Sequence, residues 1–305
     1  MGDSELNIVT GAFGYTGKYI TKRLLSMGKS VRTLTGHTNS HNPFGEKVKV
    51  YPFNFNNPIE LARSMRGATT LYNTYWIRFP HGRITYDSAV ENTRVLIRAA
   101  VEAGVRKIVH VSIANASEGS PYPYFRGKGA LEREIMNSGL SYAIIRPTVI
   151  FGPEDILINN IAWLIRKLPV FAVPGKGDYC LQPIFVEDMA DLAIKEAHRD
   201  ENTIIDAVGP EIFTFEALVR LIAQIVRRKV FFIRTGPGLV HFLSGMVGLA
   251  VKDVVLTEAE VQGLMDNLLV SAGAPTGQMK LSQWLQENAG EVGKAYASEI
   301  NRHYR

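Results

Sequence analysis

A single cysteine, Cys180, stands in a chain of 305 residues. It excludes a disulfide within the chain and any metal centre built on several thiolates, and it suits a reducing compartment. Long apolar runs are also missing. The longest, Leu239 to Val255, carries His241, Lys252 and Asp253 and is short for a span, so no transmembrane segment is expected and it reads as a packed or surface-docked helix. Blocks of like charge are absent except Arg227-Arg228-Lys229, and the net charge of +5 is otherwise scattered. Such a cluster suits a helix end better than a grip on nucleic acid, and no nucleic-acid partner is expected. No internal repeat or low-complexity linker interrupts the chain. An apolar strand opens within the first residues, so the expectation is a cytoplasmic protein without a cleaved leader. A composition 46% hydrophobic and 21% charged fits a globular chain with a large core, as one domain or two lobes.

What is present is organised by the opening stretch. Ile8 and Val9 read as a buried strand that breaks at once into G-x-x-G-x-x-G at Gly11, Gly14 and Gly17. The first glycine permits a sharp strand-to-helix turn, the second a close backbone approach to a pyrophosphate, the third close packing of helix on strand. Tyr19, Ile20, Leu24 and Leu25 follow at helical spacing. A second strand, Ser30 to Thr35, ends at Thr35-Gly36-His37. An NAD-preferring site carries an acidic residue about twenty positions after the glycines, and none stands here, which tilts the choice toward NADP. No arginine follows the strand to grip a 2′-phosphate, so the tilt is slight; Arg32 points wherever alternation sends it.

Strands are predicted at 48–54, 70–73 and 107–112, with helices at 58–65 and 86–104 and an aromatic-rich loop at 74–86. Asn54 and Asn73 fall at strand carboxyl ends, where ligands bind in open α/β sheets. The alternation predicts an α/β fold with a doubly wound parallel sheet, the Rossmann fold. Pro123 suits the first turn of a further helix, on which Tyr124 and Lys128 share a face at i and i+4. An ammonium ~4–6 Å from a phenol lowers the phenol's pKa by roughly 1–3 units, toward a value useful for proton transfer.

These residues resemble the short-chain dehydrogenase/reductase superfamily in its extended or atypical branch. The resemblance rests on Gly11, Gly14 and Gly17, on Asn92, on Tyr124 with Lys128, on 145–152 (Ile-Arg-Pro-Thr-Val-Ile-Phe-Gly), and on 182–188. The part from Leu256 to Asn267 is most similar to NmrA-like proteins and to relatives of the nucleotide-binding accessory subunit of respiratory complex I. The resemblance implies that Gly11, Phe13, Gly14, Tyr15, Thr16 and Gly17 cradle the pyrophosphate of NADP or NAD. Thr35, Gly36 and His37 would flank the adenosine ribose, Asn54 and Phe55 the adenine, and Asn73, Thr74 and Tyr75 the nicotinamide-side ribose. Lys128 would hold that ribose and activate Tyr124 as general acid, with Pro147, Thr148, Val149 and Phe151 beside the nicotinamide. The third catalytic residue departs from the pattern. Family members place a Ser or Thr where Ile113 stands, with Ser112 one residue early; Ser112, or Asn115 and Ser117 from the loop, are the substitutes.

The expected division is a cofactor-binding core at 1–152, a smaller lobe at 153–175 and 210–305, and a return to the core sheet at 176–209. Residues 154–168 read as an amphipathic helix with Asn159 and Asn160 either toward substrate or, the blander reading, on the exposed side. The C-terminal segment, with Trp284, Tyr296 and Tyr304, is a candidate to cover a small-molecule substrate, pair two copies, dock a partner or lie on a membrane. The leading expectation is an NAD(P)-dependent oxidoreductase acting on a small apolar carbonyl, imine or alcohol. The alternatives are a non-catalytic NAD(P)(H)-binding protein that senses redox state or serves assembly, and an epimerase- or dehydratase-like enzyme.

Overall fold

The β-branched residues Ile8, Val9 and Thr10 lie in β1 (Leu6–Thr10), and the glycine turn feeds α1 (Tyr15–Ser26). The structure, a computed structural model, describes residues 5–300. The chain continues through β2 (Ser30–Thr35), β3 (Val48–Pro52), α2 (Pro58–Met65), β4 (Thr70–Asn73), α3 (Tyr86–Glu102), β5 (Lys107–Val111), α4 (Pro123–Met136) and β6 (Ser141–Pro147). Then come β7 (Ile150–Phe151), α5 (Leu157–Lys167), β8 (Val170–Pro174), β9 (Cys180–Leu181), β10 (Ile184–Phe185), α6 (Val186–Ala197), β11 (Thr203–Ala207) and β12 (Phe213–Thr214). The last elements are α7 (Phe215–Ile225), β13 (Phe231–Thr235), α8 (Pro237–Val251), α9 (Glu258–Met265) and α10 (Leu281–Glu287). They fall into two compact units, 1–146 with 189–206, and 147–188 with 207–305.

The first unit is built on a 7-stranded sheet in the order β11-β6-β5-β4-β1-β2-β3. Every pairing from β3 across to β6 is parallel. β4 and β5 are buried along their whole length, as central strands covered on both faces must be. Leu61 and Met65 of α2, Leu96 and Ala100 of α3 and Ile135 of α4 pack on Ile8, Leu71 and Ile108. Each Leu, Ile or Met side chain among these contributes ~1.5–3 kcal/mol when fully buried. Asn57 caps α2 ahead of Pro58, and Thr85 with Ser88 forms a capping box at α3, so local sequence fixes where these helices begin. The order reverses between β1 and β4, and the crevice outside their carboxyl ends is the ligand-binding position of open α/β sheets.

The second unit holds three short pairs, β7 with β10, β9 with β12 and β8 with β13. Phe151, Ile158, Ile161, Ile165, Leu218, Ile222 and Trp284 form its core. The start of α5 is set by Asp155, whose buried carboxylate accepts from the Ile158 amide at 2.7 Å, the Asn159 amide group at 2.9 Å and the Gly152 amide at 3.3 Å. These bonds delay the helix to Leu157, later than the periodicity predicts.

The return to the main sheet is narrower than 176–209. β9 and β10 pair within the second unit, and only 189–206, ending in β11, belongs with the first. Residues 147–152, expected in the cofactor-binding core, also fall in the second unit. Neither reading of Asn159 and Asn160 fits: both are buried, Asn159 accepting from the Gly293 amide and Asn160 exchanging bonds with the backbone of Ala297. Trp284 is core and Tyr296 packs edge-on against Trp163; Tyr304 lies outside the described residues.

Candidate cofactor and catalytic site

Gly11 and Gly17 take the turning and packing places that the spacing predicts. Gly11 sits at φ +63°, a left-handed conformation that favours glycine, and its carbonyl accepts from the Gly14 amide at 2.9 Å. A Cβ on Gly17 would stand 2.2 Å from the Gly11 carbonyl oxygen, so only glycine lets α1 leave this close to β1. No side chain caps α1 at Gly14 and no acidic residue stands in its first turn, in contrast to α2 and α3. A helix start built this way suits a phosphate.

Beyond β2, Thr35 is buried and its hydroxyl accepts from the His37 amide at 3.1 Å, while Gly36 and His37 are exposed. Arg32 is committed elsewhere, donating to the carbonyls of Ser64 and Arg66 at the end of α2. Asn54 holds φ +46° and its carbonyl accepts from the Asn57 amide, a turn that sets Phe53 and Phe55 in a stack 4.7 Å apart. Tyr75 packs against both rings, and Asn92 donates to its hydroxyl at 2.9 Å. Residues expected along adenine and along ribose thus form one aromatic cluster.

Thr10, Asn73 and His110, at the carboxyl ends of three adjacent strands, are locked together. The Thr10 hydroxyl accepts from the Thr74 amide at 2.7 Å and donates to Asn73 Oδ1 at 3.2 Å. Asn73 Oδ1 also accepts from the Tyr75 amide at 3.1 Å, which leaves Asn73 Nδ2 as the donor to His110 Nδ1 at 3.0 Å. The neutral imidazole then carries its proton on Nε2, a buried atom with no partner. Burial, and secondly the charge of Lys128, hold His110 well below the usual histidine pKa.

Tyr124 and Lys128 sit one turn apart on α4 and meet at Trp76, in the aromatic loop after β4. The Lys128 ammonium lies 4.7 Å from the Trp76 ring centroid, and the Tyr124 ring meets Trp76 edge-on at 5.7 Å. Tyr86 packs on both aromatic rings. Lys128 donates to the Val111 carbonyl at 2.6 Å and is buried; burial lowers its pKa to about 7 against the opposing pull of Glu132. Gly127 belongs to the same arrangement, since a Cβ there would come within 2.8 Å of the Trp76 ring. Trp76 and His110 are the residues not singled out from the sequence: the one stands within the aromatic-rich loop at 74–86, the other within the predicted strand at 107–112.

Ser112 does not join this group. Its hydroxyl donates to Glu132 at 2.5 Å, on the carboxylate that Arg146 also engages. The placing of α4 is the reason, since it brings Glu132 onto Ser112 and Lys128 onto the Val111 carbonyl. Ile113, where the family carries a hydroxyl, is buried. Pro147, Thr148, Val149 and Phe151 lie in the second unit, where Thr148 donates to the Gln182 carbonyl and Phe151 is sealed between Phe185 and Trp284.

A parallel sheet whose first strand turns through glycines into an uncapped helix defines a dinucleotide-binding protein, and the residues present fit that ligand. Residues 11–155 match the family of NAD(P)H-binding domains. Relatives extend the match. The chain is 26% identical, over 231 residues, to the mitochondrial NADH dehydrogenase (ubiquinone) 1 alpha subcomplex subunit 9 of Arabidopsis thaliana, across 72% of this chain and 57% of that protein. It therefore spans less than two thirds of that relative's length. Among solved structures, the triphenylmethane reductase of Citrobacter sp. with NADP(H) superposes with TM-score 0.78 at 17% identity, covering 93% of this chain and 99% of that one. The NADPH-dependent quinone oxidoreductase of Escherichia coli superposes with TM-score 0.68 at 18% identity, covering 98% and 100%. These likenesses establish the fold, an α/β Rossmann architecture.

Proposed function

We propose that the protein is an NADP-preferring reductase acting on a small, flat, largely apolar carbonyl or imine, or on the corresponding alcohol in reverse. The observation that carries the reading is the meeting of Tyr124 and Lys128 at Trp76. The nicotinamide cofactor supplies the hydride when bound. Tyr124 Oη gives the proton to the substrate heteroatom. Lys128 Nζ, with its pKa lowered to about 7 by burial, favours the phenolate and returns its proton near neutral pH. Trp76 and Tyr86 offer flat apolar faces beside the phenol, which favours planar substrates. The preference for NADP is supported by the missing carboxylate after β2.

A panel of aromatic aldehydes, ketones and imines, assayed on wild type and Tyr124→Phe with NADPH binding confirmed by its fluorescence, tests this. The expected result is a fall in turnover of roughly 10²–10⁴-fold with cofactor binding kept. Equal rates would remove the phenol from the chemistry.

The engagement of Ser112 by Glu132 favours a second reading, a cofactor-binding protein without turnover that serves an assembly. The Arabidopsis relative, named as a complex I subunit, agrees with it. Tight NADPH binding with no turnover across the panel is what this reading expects.

A further inference from the structure

We propose that α8 and the strand before it form a face that binds an anionic lipid bilayer, with the helix lying flat on the surface. α8 is packed along a narrow strip only. Val240 and Gly248 are buried, with Ser244, Val247 and Val251 half-buried on the same side. Leu239, Phe242, Leu243, Met246 and Leu249 recur at helical spacing on the side turned away, and all are exposed, Leu249 at 83% and Phe242 at 62%. The edge strand β13 before the helix is also apolar and exposed, since alternation puts Phe231, 76% exposed, and Ile233 on one face beside exposed Val170.

The orientation is built in. A Cβ on Gly248 would meet the Asp253 carbonyl oxygen at 2.6 Å, so the glycine lets the helix settle on its own return turn. Lys252 ends α8 at φ +55°, and buried Asp253 accepts from the amides of Glu299 at 2.7 Å and Ile300 at 3.3 Å. These contacts pin the C-terminal end of α8 with its apolar stripe outward. Helix length excludes a span: 15 residues at ~1.5 Å each make roughly 22 Å, against ~30 Å of hydrocarbon. Among the described residues no helix is long and apolar enough to cross a membrane.

Charge selects the occupant. From Arg227 to Lys252 the chain contains no Asp or Glu, and Arg227, Arg228, Lys229 and Lys252 are exposed. An exposed apolar stripe in a stretch whose charged residues are all cationic suits acyl chains with its apolar side chains and lipid phosphates with its cations. A second copy of the same face would bring this acid-free stretch, with its cations, against its own like charges.

Flotation of the full chain with vesicles tests the proposal. Binding is expected to vesicles of phosphatidylcholine mixed with phosphatidylglycerol, weak to phosphatidylcholine alone, and weakened by high salt. Leu249→Glu with Phe242→Glu should lower binding roughly tenfold or more, as lost burial of these side chains requires. Arg227→Glu with Arg228→Glu should lower it on anionic vesicles only. An unchanged urea unfolding midpoint, with the near-ultraviolet signal of the second unit's buried Trp284 retained, would show that each variant is folded. The proposal is overturned if no vesicle binds, if the apolar variant floats like wild type, or if sedimentation shows a dimer that Leu249→Glu converts to monomer.

Discussion

Asn73 Nδ2 donates to His110 Nδ1 at 3.0 Å, and both side chains are fully buried. The bond couples the end of β4 to the carboxyl end of β5, and through Tyr75 to the aromatic wall beside it. Asn73→Ala removes the partner of a buried imidazole and the acceptor of the Thr10 hydroxyl, while the Tyr75 amide keeps its bond to Thr10 Oγ1 at 3.0 Å. Unpaired buried groups cost ~1–3 kcal/mol each, so a drop of that order in unfolding free energy is expected from urea titration. A midpoint unchanged from wild type would count against the network as a structural tie.

Lys128 gives the folded state a pH signature. Its pKa is about 7 when folded and roughly 10.4 in an unfolded chain. Below pH 7 both states are protonated and the burial penalty is fully present. Between the two values the unfolded state binds more protons, so stability rises with pH across that window. Thermal unfolding from pH 7 to 9 should show this rise in wild type and lose it in Lys128→Met. Equal slopes would place the ammonium in water.

The glycine turn and the Tyr124-Lys128 pair were legible in the sequence because each depends on a local periodicity: strand, turn and helix in one case, one helical turn in the other. The sheet was legible for the same reason, since buried strands such as Lys107–Val111 carry their apolar character in order. What could not be read depends on contacts distant in the chain. Ser112 is held by Glu132 twenty residues later, and Asn159 by the backbone of Gly293. Asp155 moves the start of α5 through bonds that no hydrophobic pattern records. The boundary between units was missed because β9 and β10 look like any short strand, and only their pairing assigns them.

Gly17→Ala tests the turn more sharply than a change at an open position. The new methyl would lie 2.2 Å from the Gly11 carbonyl oxygen, so α1 must move off β1. Overpacking of this kind costs ~1–3 kcal/mol. Calorimetry should show the loss, and NADPH affinity should fall because the turn itself is displaced. Unaltered affinity in a destabilised variant would separate the turn from the cofactor.

Cofactor choice should respond to charge after β2. Gly36 is exposed there, and a Cβ on it meets only the edge of Phe53 at 4.0 Å, so Gly36→Asp is sterically tolerated. A carboxylate at this point accepts the ribose hydroxyls of NADH and repels the 2′-phosphate of NADPH. The ratio of the two dissociation constants, from nicotinamide fluorescence, is expected to move at least roughly tenfold toward NADH, as ~1.4 kcal/mol of repulsion gives. A ratio unmoved would mean that the adenosine end lies elsewhere.

Ser112→Ala separates structure from chemistry at the position the family pattern leaves in doubt. The hydroxyl donates to Glu132, a buried carboxylate otherwise held by Arg146, and that carboxylate opposes the lowering of the Lys128 pKa. Removing a hydrogen bond to a charged group costs roughly 1.5–3 kcal/mol, so the urea midpoint should fall. If turnover is carried by Tyr124 and Lys128, the rate per folded molecule should stay near that of wild type, with the pH profile shifted only as far as Glu132 relaxes. A loss of turnover like that of Tyr124→Phe, with stability unchanged, would instead make Ser112 the group that polarises the substrate and would require its hydroxyl to leave Glu132 during the reaction.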